Sequence, residues 1–245
     1  MSELYIKTEV QHGRTMVTDS FFTNPLKIAK SFYREDGYTE IMTMVVGPGM
    51  LRGDIYDICY DMSDDTKTLM TSQSYQKLHN STGGETIQKV QINVGANAEF
   101  CFIPHPTIPF TGNTFSSNMN IELQPSSKFI FTDILSTGRE GMGERLTFAR
   151  FSSTVNVSVG GNPVFIDHTR LFTDETDFNK IGFYESRSSQ GLMYFYGYYD
   201  LELHDDERVE AAVSKCREGY AVRMLCDSGD AAYTYAMKLW EKVRS

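Results

Sequence analysis

FCFIPHPTIPFTGNTF, Phe100 to Phe115, is the stretch from which the fold is read. Pro104, Pro106 and Pro109 each fix φ and remove a backbone donor, so no regular helix runs through it. They also press His105 and Ile108 towards extended conformations. The apolar residues ahead of Pro104 predict a buried strand, and the prolines predict a rigid passage that turns and ends on Phe115. His105, held between two prolines, has a fixed exit direction. Two uses stay open to it, a packed or interface role and a place among metal ligands, and a lone histidine favours the first.

The sequence alternates on both sides of this passage. Val90, Ile92 and Val94, then Met119, Ile121 and Leu123, then Val155, Val157 and Val159 are spaced by polar residues, the pattern of a sheet with one wet face. Further upstream LYIKTEV, TMVTDSFF, LKIAKSFY and TEIMTMVV are separated by His12-Gly13, Asn24-Pro25 and Asp36-Gly37. Each dipeptide bends a backbone readily, so a β meander is expected. No repeat of fixed length is visible, and a solenoid built from these strands would have irregular coils. Helix is predicted only near the end. One runs from a cap at Asp205 or Asp206, through Val209, Ala212, Val213 and Cys216, to Gly219. After the strand YAVRMLC a second starts at Asp227 or Ser228, with Ala232, Tyr235, Ala236, Leu239, Trp240 and Val243 as its apolar stripe. The expectation is one mainly β domain over residues 1–245, with a β body to about residue 202 and a helix–strand–helix segment after it.

Composition narrows the function. A formal charge of -9 and a pI near 5.1 leave no basic block for phosphates, which argues against nucleic acid. Such an acidic balance suits cation handling or a basic partner. The cysteines Cys59, Cys101, Cys216 and Cys226 have no CxxC spacing. The N-terminus lacks the apolar core of a signal peptide, and no apolar run has the length of a membrane span. A cytoplasmic protein with reduced thiols is expected.

Several carboxylates interrupt the apolar strands. GPGMLRGD, Gly47 to Asp54, is a sharp loop that ends Arg52-Gly53-Asp54, so it lacks the Gly-Lys-Ser/Thr ending of a phosphate loop. Asp57 and Asp61 in the next strand read as a solvated face. In SKFIFTDILSTGREGMGERLTF, Ser127 to Phe148, Asp133 sits inside an apolar strand ahead of a glycine-rich loop bearing Arg139, Glu140 and Glu144. A buried carboxylate is costly unless it is paired, hydrated or facing a metal. An Asp133–Arg139 pair and a functional Asp133 are both open. In PVFIDHTRLF, Asp167 and His168 point to opposite faces, so one chain cannot use both on the same ion. The aromatic strand GLMYFYGYYDL, Gly191 to Leu201, reads as core or partner surface, since no basic residues are interleaved.

Catalytic motifs are missing: no GxSxG elbow, no HExxH, no cysteine with a histidine neighbour. Glu140 and Glu144 leave one alternative, a stand-alone β-rich enzyme acting on a carbohydrate or small molecule through a pair of carboxylates. Carboxylate and imidazole ligands suit hard or borderline cations such as Ni²⁺ or Zn²⁺, and an incomplete ligand set suits a carrier that must release its ion.

GPGMLRGD, the TLMTSQ strand, NAEFCFIPHPTIPF and FIFTDILSTGREGMGE, in this order and spacing, resemble the urease accessory protein family UreD, also called UreH. The likeness is strongest from Met44 to Leu171. It departs from the family at Gly47-Pro48-Gly49, where a Gly-Gly pair is usual. The resemblance implies a non-enzymatic scaffold of irregular, solenoid-like β structure with two C-terminal helices. It further implies that the scaffold binds UreF, which recruits the GTPase UreG, and that the assembly delivers Ni²⁺ to apo-urease through a polar internal path. No tightly bound cofactor, nucleic acid or membrane is implied. By motif position, Asp54, Lys77, Asp133 and Asp167 match the family's path-lining residues, with His105, Arg139, Glu140 and Glu144 as weaker candidates.

Overall fold

The computed structural model describes residues 1–178, 180 and 182–244. The chain starts with a hairpin, β1 (Ser2–Gln11) and β2 (Arg14–Phe22), which turns through His12 and Gly13, both at positive φ. β3 (Leu26–Ile28) and β4 (Phe32–Tyr33) both run antiparallel to β5 (Thr39–Val45) in the other sheet, so the expected single meander is instead two hairpins, one in each sheet. The chain then winds in coils. The first is β6 (Ile55–Met62), β7 (Lys67–Ser72) and β8 (Gln76–Leu78). The next is β9 (Thr86–Val94), β10 (Glu99–Phe102) and β11 (Thr107–Pro109), and the third begins with β12 (Thr114–Leu123) and β13 (Lys128–Ser136). A loop leads to the hairpin β14 (Arg150–Val159) and β15 (Asn162–Phe172). The antiparallel strands β16 (Ser189–Tyr196), β17 (Val209–Lys215) and β18 (Tyr220–Cys226) follow, then helix α1 (Gly229–Arg244).

Each coil places a strand in each of two facing sheets. The first sheet has the order β15-β14-β12-β9-β6-β1-β2, and the path of the second is β17-β18-β16-β13-β10-β7-β5-β3. Inside both, successive coils pair in parallel, and antiparallel strands close the two ends. This is the irregular, solenoid-like body that the resemblance implies. Ile55, Ile87, Ser116 and Ser152 share one lateral row but are unevenly spaced along the chain, which is why no fixed repeat is legible.

Burial explains the two kinds of strand. The first sheet buries one face, so its strands alternate, with Val90, Ile92, Met119, Ile121, Val155 and Val157 turned inwards. The second sheet is covered on both faces. Phe100, Phe129, Phe131 and Tyr194 point to the first sheet, while Cys101, Ile130, Met193 and Phe195 pack under α1. Continuous apolar runs such as FCFI and GLMYFY follow from that double burial. The proline passage begins as β10, a parallel strand between β7 and β13, and Pro106 then meets the start of α1.

The helix α1 lies where its stripe predicts. Ser228 Oγ accepts the Ala231 N–H at 3.1 Å, and Ala232, Tyr235, Ala236, Leu239 and Trp240 are buried. The Trp240 indole N–H reaches Cys101 Sγ at 3.0 Å, and Tyr38 meets its ring edge-on at 5.8 Å.

The helix expected from Asp205 or Asp206 to Gly219 is instead the strand β17. Val209, Ala211 and Val213 also alternate, and antiparallel pairing with β18 satisfies the backbone along the whole segment. Gly219, at φ +91°, turns the hairpin rather than ending a helix. The C-terminal segment therefore contributes one helix, not two, and extends the second sheet. All four cysteines are free thiols.

Candidate functional site

A polar row crosses the inner face of the first sheet. Gln88 on β9, Ser117 on β12, Ser153 on β14 and Thr169 on β15 are lateral neighbours, next to Tyr56 on β6. Each stands where the alternation calls for an apolar residue: Ser117 lies between Phe115 and Met119, and Ser153 between Phe151 and Val155, all four of them buried. Facing this row from the second sheet are Thr43, Ser72, Pro104 and Asp133. Between the two rows lies a cavity of ≈ 120 Å³, with His105, Gln76 and Tyr75 on its wall. Gln76 Nε2 donates to Gln88 Oε1 at 2.6 Å across this space.

Asp133 is the hinge of the arrangement. On β13, Phe129, Phe131, Asp133 and Leu135 share the inward parity, so the carboxylate enters the interior rather than the helix-covered side. Ser153 Oγ donates to Asp133 Oδ2 at 3.0 Å. Burial pushes this carboxyl up to about 6, and the negative charge of Asp167 pushes in the same direction while the Ser153 hydroxyl opposes it. The surface that Asp133 retains opens onto two spaces at once. One is the cavity just described; the other is a cleft of ≈ 400 Å³ between β15, β16, β17 and β18, lined by Thr169, Gln190, Glu210 and Arg223.

Asp167 stands at the outer side of the same region. It shares the inward face of β15 with Thr169, whose hydroxyl donates to Asp167 Oδ2 at 3.3 Å, and its Oδ1 pairs with Arg223 on β18. His168 points the other way, half-reaching Ser152 on the outer face at 3.4 Å. Asp133 and Asp167 thus stand on opposite sheets without touching, close enough for the charge of Asp167 to act on the Asp133 carboxyl.

The other expected residues lie elsewhere. Asp54 closes the glycine loop, accepting the Leu51 N–H on Oδ2 at 2.7 Å. Lys77 is exposed, and its neighbour Gln76 takes the inward direction. His105 stacks on Tyr233 of α1 at 4.0 Å, and its backbone N–H donates to Ser72 Oγ at 2.8 Å. Burial lowers the affinity of its ring for a proton. It joins the β body to the helix while contributing to the cavity wall.

Arg139 does not reach Asp133. Its guanidinium forms a two-pronged pair with Glu144, at 2.7 and 2.5 Å, and covers the Phe110 ring at 3.8 Å. Glu140 accepts from Thr137 and Ser188, both at 2.6 Å, and pairs with Arg145. Burial pushes the Glu140 carboxyl up, but the Ser188 and Thr137 hydroxyls and Arg145 together outweigh it and hold the group below the usual range, while Glu144 is held below it chiefly by Arg139. Each is engaged in pinning the loop, an arrangement unlike an acid and base waiting for substrate.

The polar row itself escaped the sequence reading. Its signal is present as single polar residues that break the apolar parity of alternating strands. Among the described residues, no three His, Cys, Asp or Glu side chains converge to hold a metal ion. What the arrangement offers a cation is a series of single oxygen donors, with Asp133 as the charged one in the middle. Among the described residues no helix is long and apolar enough to cross a membrane.

The family model described as UreD urease accessory protein matches residues 1–245. A protein of Acetivibrio thermocellus named urease accessory protein UreD is 32% identical, over 94% of this chain and 92% of its own length. Urease accessory protein UreH of Helicobacter pylori strain G27 is 35% identical over 74% of this chain and 68% of its own. UreD of Flavobacterium johnsoniae is 28% identical over 99% of this chain.

Proposed function

The chain belongs to the UreD family of urease accessory proteins, with a role in urease maturation, and from that premise we propose that it is a scaffold along which Ni²⁺ passes to apo-urease. It works in the cytoplasm without catalysis of its own, bound to UreF and through UreF to the GTPase UreG. Nickel is the cargo and is never tightly held.

The observation that carries the reading is the place of Asp133. A carboxylate inside a β body is costly when unpaired, yet this one faces an arginine-free cavity with a single hydroxyl partner. It connects that cavity to a cleft open at the other end of the sheets. Hydroxyl and amide oxygens of Ser117, Ser153, Gln88 and Thr169 continue the path on the opposite wall. Isolated oxygen donors bind a borderline cation weakly, which suits transfer better than storage. Asp54 and Lys77 would act at the approaches to this path, being outside its walls.

Reconstitution tests the reading. Apo-urease, Ni²⁺, UreF, UreG and GTP are expected to yield active urease at a much higher rate with this chain than without it. An equal rate without the chain would overturn the scaffold role.

A further inference from the structure

Arg223 on β18 reaches from the second sheet to the first and pairs with Asp167 on β15. The partners differ in setting. The Asp167 side chain is 8% exposed and anchored by Thr169, whereas that of Arg223 is 64% exposed. The carboxylate therefore belongs to the wall, and the guanidinium enters from solvent. Arg223 and Asp133 line the same cleft. Glu210, on the adjoining strand and lining that cleft too, would be another anchor for Arg223, but Arg187 holds it at 3.0 Å. A guanidinium keeps its charge at every physiological pH, so a permanent cation occupies the outer of the two interior carboxylates.

We propose that Arg223 is a tethered counter-cation that closes the outer end of the passage, so that a divalent cation leaving Asp133 reaches Asp167 only when Arg223 swings out. This rests on the reading of the interior as an ion path and adds the residue that regulates it. The guanidinium and a divalent ion compete for the same carboxylate, and like charge excludes their occupying it together. An ion pair with one largely solvated member is weak, so the arginine is displaceable without moving either strand. The alternation of β18 supports this freedom: Val222 and Met224, on either side of Arg223, are buried in the layer under α1 and hold the backbone in place.

The role makes Arg223 a determinant of cation retention, and metal affinity is its readout. The experiment titrates the full-length chain with NiCl₂ by calorimetry, as wild type, Arg223→Gln, Arg223→Lys, and Arg223→Gln combined with Asp167→Asn. Thermal melts verify that each variant is folded. With the competing cation gone, Arg223→Gln is expected to bind Ni²⁺ about tenfold more tightly than wild type. Arg223→Lys, which keeps a tethered charge, is expected to stay near wild type, and Asp167→Asn to cancel the gain. Equal affinity of Arg223→Gln and wild type would overturn the proposal, and so would a gain that survives Asp167→Asn. The ion-path reading fails on a different result, unchanged urease activation by Asp133→Leu, which these titrations do not involve.

Discussion

At the scale of single residues, Asp133 links the site to stability through pH. In the unfolded chain its carboxyl ionises near 3.8, whereas in the fold burial pushes it up to about 6. Below the lower value both states carry the proton and the residue is neutral to stability. As pH rises from there towards 6 the unfolded chain releases the proton first, so the folded state loses stability, and the loss is complete above 6. Its size is up to about 3 kcal/mol. Asp133→Asn keeps an oxygen to accept from Ser153 and removes the charge. Its melting temperature should therefore exceed that of wild type by several degrees at pH 7.5 and by much less at pH 4.5. An equal difference at both pH values would show that Asp133 is not held in a low-dielectric interior. Asp133 was legible because a charge inside FIFTDIL breaks an apolar run, and its partner was not. Arg139 was the near candidate in sequence, and the contact actually made is with Ser153, a coil away. Lys77 illustrates the other difficulty, since strand parity turns on one residue and it is Gln76 that points inwards.

Among the elements, the start of α1 seats closely on the proline passage and its neighbours. A Cβ on Gly229 would stand 2.6 Å from the Tyr75 hydroxyl, 2.8 Å from Ser136 Oγ and 3.0 Å from Pro106 Cγ. Gly229→Ala should push the first turn of the helix outwards and cost about 1–3 kcal/mol. Urea denaturation measures this, and an unchanged midpoint would mean that the helix seat is looser than described. The loop after β13 offers a second test. Glu140 gathers Thr137, Ser188 and Arg145, so Glu140→Gln should cost about 1–3 kcal/mol in the same assay, with urease activation by the folded variant unaffected. A large loss of activation at unchanged stability would return Glu140 to the list of functional groups. The helix α1 was legible from its stripe and cap. β17 was not, because Val209, Ala212, Val213 and Cys216 satisfy a helical period while Val209, Ala211 and Val213 satisfy a strand period. The edge of β18 decided between them.

At the scale of the whole molecule, the solenoid explains why a path exists at all. Parallel coils set residues far apart in sequence side by side, so four separate polar substitutions in alternating strands become one continuous row. The wet-faced strands are legible from their period of two, whereas their stacking into coils follows only from the family resemblance, because coils of uneven length leave no fixed repeat. The row was not legible, since it depends on the register between coils, and Arg223, from the C-terminal hairpin, meets Asp167 only through the closing of both sheets. The central claim is that nickel travels this row past Asp133. It is tested most directly by the nickel content of urease matured with Asp133→Leu in place of the wild-type chain, measured by mass spectrometry of the purified enzyme after confirming that the variant still binds UreF. The account predicts a several-fold lower nickel content per urease active site; a content equal to that obtained with the wild-type chain would contradict it.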